Sequence, residues 1–389
     1  MAHQPCAIVG IGQTNHKSRR WDVSLGGLVR EAARRALDDA EMDWDDIDAV
    51  VIGKAPDLFE GEMKPELYLT DALGAVGKPM FRVHTAGSVG GSTGIVASHL
   101  IESGRHQRVL ALAYQKQSEG NAQFALGSGK GASLGAGGAF APFMRSYIYR
   151  SGAPLDVGPM VAVKDRQNAL KNPYAHLKIE DISLEKVKAS PMMWDPVRYL
   201  ESCPSSDGAC AVVLTDEAGG RAAAASGRPP AWVLASAVRS EPASFPGRDP
   251  VRPQGAVDVA NDVYRQVGIT NPRTQIDCAE LYVPFSWYEP MWLEAHLIAE
   301  PGEGWKMVES GETALDGAFP VNMSGGVLSS NPIGASGLLR FAEAAMQVRG
   351  TAGEHQVDGA KVALAQAYGA SAQYFSVWIV GSSLDPYGS

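Results

Sequence analysis

One grammar of strand, helix and glycine-rich turn occurs twice along this chain, and the repeat constrains the fold more than any single motif does. The first copy opens with the short apolar strand "CAIVGIG". A helix follows in "SLGGLVREAARRALDDAEM", where Leu25, Leu28, Val29, Ala32, Ala36 and Leu37 recur at helical spacing and Ser24 is placed to cap. "DIDAVVIG" is a second strand, and "TAGSVGGSTG" is a Gly/Ser turn that leads into a helix before "HQRVLALAYQ". In the second copy "QIDCAELYV" echoes "DDIDAVVIG", "SGGVLSSNPIGASGLLRFAEAAMQVRG" is again a Gly/Ser turn and helix, and "GAKVALAQAYG" matches "HQRVLALAYQ". Alternating strands and helices predict an α/β fold with buried strands. The expected units are residues 1–119 completed by 206–232, and 233–389. Residues 120–205 interrupt the first unit with glycine-rich and polar helical stretches, and read as an inserted loop domain of the kind that covers active sites.

The 389 residues carry a formal charge of −9, which disfavours a nucleic-acid partner because a phosphate backbone needs a basic surface. No apolar run reaches the roughly 18 residues of a membrane span. The start "MAHQPCAIVGIG" lacks the basic and long apolar regions of a secretory signal. The four cysteines, Cys6, Cys203, Cys210 and Cys278, are scattered without a metal-binding spacing, so no metal site and a cytoplasmic setting are expected.

Three short motifs fit poorly. "GIGQTN" lacks the third glycine of a dinucleotide turn, and "GSGKGAS" around Lys130 has Gly131 where a phosphate loop needs Ser or Thr. "AGSVG" around Ser88 varies on a nucleophile elbow, with His355 and Asp277 or Asp207 as the partners of a serine hydrolase, but no His-Gly oxyanion turn precedes it.

Four stretches taken in order, "TAGSVGGSTG", "NPYAHLKIEDISLEKVKAS", "CPSSDGACAVVLTDEA" and "SGGVLSSNPIGASG", resemble the thiolase superfamily over essentially the whole chain. The resemblance is closest to sterol carrier protein-type thiolases and lipid-transfer-protein-like chains, among them actinobacterial steroid side-chain aldolases. It implies a thiolase fold, two α/β halves in a layered αβαβα arrangement with the loop domain inserted.

The resemblance also locates the reacting positions, and each has changed. Ser88 stands where thiolases carry the nucleophilic cysteine, and its backbone N–H at the helix start is expected to matter more than its hydroxyl. Asn331 replaces the histidine base and can only donate or accept hydrogen bonds. Ala367 replaces the second cysteine, with Tyr368 beside it, and Tyr282 fills the fourth position in "ELYVPFS". A covalent acyl-enzyme loses its machinery, while an oxyanion site for a thioester persists.

Retro-aldol cleavage of a β-hydroxyacyl-CoA needs such a site and no nucleophile. Tyr282 and Tyr368 would be base and acid, the basic one with its pKa lowered from about 10. The alternatives are an acyltransferase, a lipid or acyl-CoA carrier, or a scaffold subunit. Coenzyme A enters as part of the substrate, and no covalently bound cofactor is expected. Lys164, Arg166 and Lys171 are candidates for its phosphates. Cys203, Cys210 and Cys278 fall at structural positions. The aromatic run Trp287–Leu293 lines either a wide pocket or an interface. The resemblance further implies a homodimer and an OB-fold, zinc-ribbon partner protein.

Overall fold

The computed structural model describes residues 4–120, 135–243 and 246–387. Its strands are β1 (Cys6–Gln13), β2 (Ala49–Lys54), β3 (Met80–Val83), β4 (Arg108–Lys116), β5 (Met192–Trp194), β6 (Val197–Arg198), β7 (Asp207–Asp216), β8 (Ala231–Ser240), β9 (Cys278–Glu280), β10 (Val362–Gly369) and β11 (Tyr374–Gly381). The helices used below are α1 (Leu25–Ala40), α2 (Val89–Glu102), α3 (Gly135–Ser151), α4 (Val157–Lys171), α5 (Gln254–Val267), α6 (Tyr288–Ala295) and α7 (Ser336–Arg349). The candidate phosphate loop around Lys130 lies outside the described residues.

Nine strands form one mixed sheet in the order β3-β2-β4-β7-β1-β8-β11-β10-β9. Its seam is short: β1 meets β8 only through the pairs Cys6–Val233, Ala7–Trp232 and Ile8–Ala231. Read outward from that seam, β1-β7-β4-β2 on one side is matched by β8-β11-β10-β9 on the other. In both runs the first three strands pair antiparallel and the last pair is parallel.

Side chains alternate between faces of a strand, and here both faces are apolar, so successive residues enter different cores. Ala7 and Val9 face α1, whose buried stripe of Leu28, Val29, Ala32, Ala36 and Leu37 forms one outer layer. Ile8 points the other way, into a central core built on α2 and α7 with Ile95, Leu338, Phe341 and Trp378. Leu364, Val377 and Ile379 face the third core, which α5, α6 and the inserted segment cover. The layering is therefore helix, one run of the sheet, helix, the other run of the same sheet, helix, an α/β fold. Ser24 caps α1 by accepting the Gly27 amide at 3.1 Å, as its position in the sequence predicts.

The central helices touch at backbone level. A β-carbon on Gly90 would lie 2.6 Å from the Leu338 nitrogen, and one on Gly337 2.6 Å from the Gly91 nitrogen. Only glycine permits that approach. It fixes the glycine-rich turn before α2 against the strand ends of the other half.

Candidate active site

The end of β9 and the strand β10 present the two tyrosines. Tyr282 is anchored through its backbone, its N–H donating to Gln366 Oε1 and its carbonyl accepting from Trp292 Nε1, both at 2.9 Å. Tyr368 stands on β10, and the two rings meet edge-on with centroids 5.3 Å apart. Trp292 lies edge-on to Tyr368 at 4.9 Å and stacks on Tyr288 at 4.8 Å. The run Trp287–Leu293 is fully buried behind the tyrosines. It neither lines the cavity nor faces outward, which corrects both expectations for it.

Asn331 completes the group. Its carbonyl accepts from Gln117 Nε2 at 2.6 Å, and its amide donates to Ser206 Oγ at 3.1 Å. Ser336 Oγ donates to Asn331 Oδ1 at 2.8 Å, which turns the side-chain NH₂ toward Cys203 Sγ, 3.2 Å away. The Tyr282 hydroxyl lies 3.5 Å from Asn331 Oδ1. Tyr282, Tyr368, Asn331 and Cys203 border a cavity of about 400 Å³ that Phe59, Phe140, Phe285 and Ile333 make largely apolar.

Cys203 belongs to this cavity, which corrects its assignment as a structural cysteine. Burial pushes its thiol up to about 11, against the Asn331 hydrogen bond that lowers it. The sequence signal was present, since Cys203 heads the stretch that ends in Asp207 and Gly208, but its backbone is held by a residue distant in sequence, Pro284, whose carbonyl accepts the Cys203 amide at 2.9 Å.

The expectation of a tyrosine with lowered pKa is also corrected. Burial raises both Tyr282 and Tyr368, helped by Cys203 at the first and by Tyr288 and Tyr282 at the second. Both are therefore neutral phenols at neutral pH.

Ser88 is fully buried and does not border the cavity. Its hydroxyl donates to the Thr85 carbonyl at 2.7 Å, and its N–H goes to the same carbonyl at 3.2 Å. The expectation that its N–H serves the substrate is corrected: Ala86 and Gly87, not Ser88, border the cavity, across from Gly369. The partners of a serine hydrolase are engaged elsewhere. His355 pairs with Glu343 at 2.9 Å, Asp277 accepts the Lys361 amide and Asp207 accepts the Arg20 amide.

Of the phosphate candidates, two face inward. Lys164 is paired with Glu289 at 2.6 Å and with Asp165 at 3.1 Å. Arg166 is 1% exposed and donates to the carbonyls of Leu328, Leu200 and Ser202. A cation spent on buried partners cannot meet a phosphate without breaking them, so both roles are withdrawn. Lys171, at the end of α4, is exposed.

Comparison with known proteins places this geometry in a family. Residues 238–382 match the family described as thiolase C-terminal domain-like. An acetyl-CoA acetyltransferase of Methanothermobacter thermautotrophicus is 32% identical over 371 residues, covering 92% of this chain and 94% of the relative. Human sterol carrier protein 2 is 28% identical over 92% of this chain and 68% of its own length. Among solved structures, the Ltp2-ChsH2(DUF35) aldolase superposes with a TM-score of 0.79 at 25% identity, covering 98% of both chains. The chain belongs to the thiolase superfamily, in its sterol carrier protein type. Among the described residues no helix is long and apolar enough to cross a membrane.

Proposed function

We propose that the chain is a carbon–carbon lyase that cleaves a β-hydroxyacyl-CoA by a retro-aldol reaction, with a steroid side chain or another bulky acyl group as substrate. The observation that carries the reading is the edge-on pair of neutral tyrosines beside Asn331, in an apolar cavity where the hydroxyl of Ser88 is turned away. Coenzyme A enters as the thioester of the substrate.

Neutral phenols suit a relay better than a free base. As the Cα–Cβ bond breaks, the β-hydroxyl proton passes to the oxygen of one tyrosine, that tyrosine's own proton passes to the second, and the second's own proton passes to Cα. The β-carbon becomes the carbonyl of a ketone or aldehyde, and the electron pair of the broken bond, drawn onto the thioester with enolate character, ends in the new Cα–H bond of the shortened acyl-CoA. Because the three transfers are concerted, atoms and charge balance with both phenols neutral before and after. The Asn331 NH₂ is the donor to the enolate oxygen, a role worth about 3 kcal/mol in comparable sites.

The test is mass spectrometry of products from a panel of β-hydroxyacyl-CoAs, with and without a co-expressed OB-fold, zinc-ribbon partner. A carbonyl product together with a shortened acyl-CoA supports the reading. Intact thioesters under both conditions favour a carrier or scaffold.

One observation favours a second reading, acyl transfer: the Cys203 thiol borders the cavity, and a relative is named an acetyltransferase. A peptide carrying an acyl group on Cys203 distinguishes it. We also propose a homodimer. The edge strand β3 pairs on one side only, and Phe81, Met63, Leu67 and Val76 are exposed in β3 and the segments flanking it. A monomeric mass by light scattering would sink that proposal.

A further inference from the structure

Among the described residues seven non-glycine residues have a positive φ, and four of them lie in the two loops that border one cavity. Ala86 (φ 52°) sits at the turn before α2. Ala370, Ser371 and Ala372 (φ 53°, 59° and 59°) follow Tyr368 and Gly369 without interruption. Gln373 N–H donates to the Gly369 carbonyl at 2.9 Å, so residues 369–373 make one turn of left-handed helix. Each β-carbon in that conformation carries a steric cost that glycine would not.

Named partners hold the turn. The Arg248 guanidinium donates to the carbonyls of Ser371 (3.2 Å) and Ala372 (2.5 Å), and its Nε donates to Glu241 (2.7 Å). Glu241 is itself fixed by the Gly255 amide at 2.6 Å, and its own amide donates to the Gln373 carbonyl at 2.7 Å. Ala372 is buried, whereas Ala370 is exposed and Ser371 half-buried, and the last two border the cavity. On its inner side the turn is braced against the other half, since a β-carbon on Gly369 would lie 2.5 Å from the nitrogens of both Gly87 and Ser88. Backbone strain persists only where its surroundings over-determine it. Here they do so at the rim of a cavity.

We propose that Ala370 and Ser371 form a specificity-determining rim, whose side chains, kept on a strained left-handed turn by Arg248, limit the width of the acyl group that the cavity admits. The inference rests on the reading of this cavity as an acyl-CoA site, but not on the reaction carried out there.

The experiment is the double variant Ala370→Gly/Ser371→Gly of the full chain, tested by calorimetric titration with acetyl-CoA and with cyclohexanecarbonyl-CoA, alongside its melting midpoint. Glycine removes both side chains and relieves the left-handed backbone, so the midpoint is expected to stay or rise. On ordinary backbone the same change would lower it. The affinity ratio is expected to shift at least fivefold toward the cyclohexane thioester. A smaller shift, or a fall in the midpoint, overturns the rim. If neither thioester binds the unaltered chain, the acyl-CoA reading itself fails, and the rim as a determinant of acyl width is overturned with it. A cavity that binds both but cleaves neither refutes only the lyase.

Discussion

Asn331 donates its side-chain amide to the sulfur of Cys203 at 3.2 Å, joining the turn before α7 to the segment that leads into β7. The amide is oriented by Ser336, so its remaining N–H is free to face a substrate oxygen. The thiol makes this contact from a site that keeps it protonated.

That protonation state is measurable. With a pKa of about 11, roughly one Cys203 in ten thousand is a thiolate at pH 7, and the fraction rises tenfold per pH unit up to the pKa. Alkylation of Cys203 by iodoacetamide, followed by peptide mass spectrometry, should accelerate tenfold per unit from pH 7 to pH 10. Asn331→Leu removes the hydrogen bond that lowers the pKa and should slow alkylation at every pH in that range.

If the tyrosines form one relay, removing either breaks it. Tyr282→Phe and Tyr368→Phe should each lower kcat for β-hydroxyacyl-CoA cleavage by at least a hundredfold with KM within threefold. The double variant should be little worse than either single one, as for groups that act as a unit. Steady-state kinetics of the three variants checks this, and wild-type rates in either single variant would falsify the roles.

Glu201 carries a pH dependence of stability. Burial raises its carboxyl to about 7, against hydrogen bonds from the Arg198 amide and Ser286 that lower it. The folded state therefore holds the proton more tightly than the unfolded state. The associated stability is complete at pH 4 and is lost as pH rises through 7, an effect on the order of 3 kcal/mol. Glu201→Gln mimics the protonated form. Denaturant titration should find this variant close to the parent at pH 5 and more stable than it at pH 8.

Gly90→Ala places a β-carbon 2.6 Å from backbone nitrogen on α7, where no side chain can swing away. The helices must separate, at a cost of about 1–3 kcal/mol for overpacking. A lowered melting midpoint is expected, with a larger loss of activity than of stability because both loops at the cavity move with these helices.

The fold was legible because its signals are local and repeated. Strand periodicity and the Gly/Ser turn each appear within a few residues and recur in the second half, and the Ser24 cap is equally local. Tyr282, Tyr368 and Asn331 were legible as positions, through the ordered motifs. Their electrostatics were not: Tyr288 and Trp292, which pack on Tyr368, stand 80 and 76 residues before it, and Cys203, which raises Tyr282, stands 79 residues before that. Lys164 and Arg166 misled for the same reason. A basic residue on a polar-looking helix reads as surface until its acidic partner, Glu289, is found 125 residues away. The left-handed turn at 370–372 left no sequence trace, since Ala-Ser-Ala is not a composition that signals positive φ.

The matched strand runs on either side of the short β1–β8 seam also divide the labour of the site. The first half brings Pro56, Phe59 and the loop at Ala86 and Gly87 to the cavity wall but none of the proposed reacting groups, while Tyr282, Asn331 and Tyr368 all arrive from strand ends and turns of the second. A chain built this way can exchange its reacting groups one at a time in one half, while the other goes on serving as an unaltered frame. New chemistry on this scaffold therefore asks for few substitutions, and none of them at the seam.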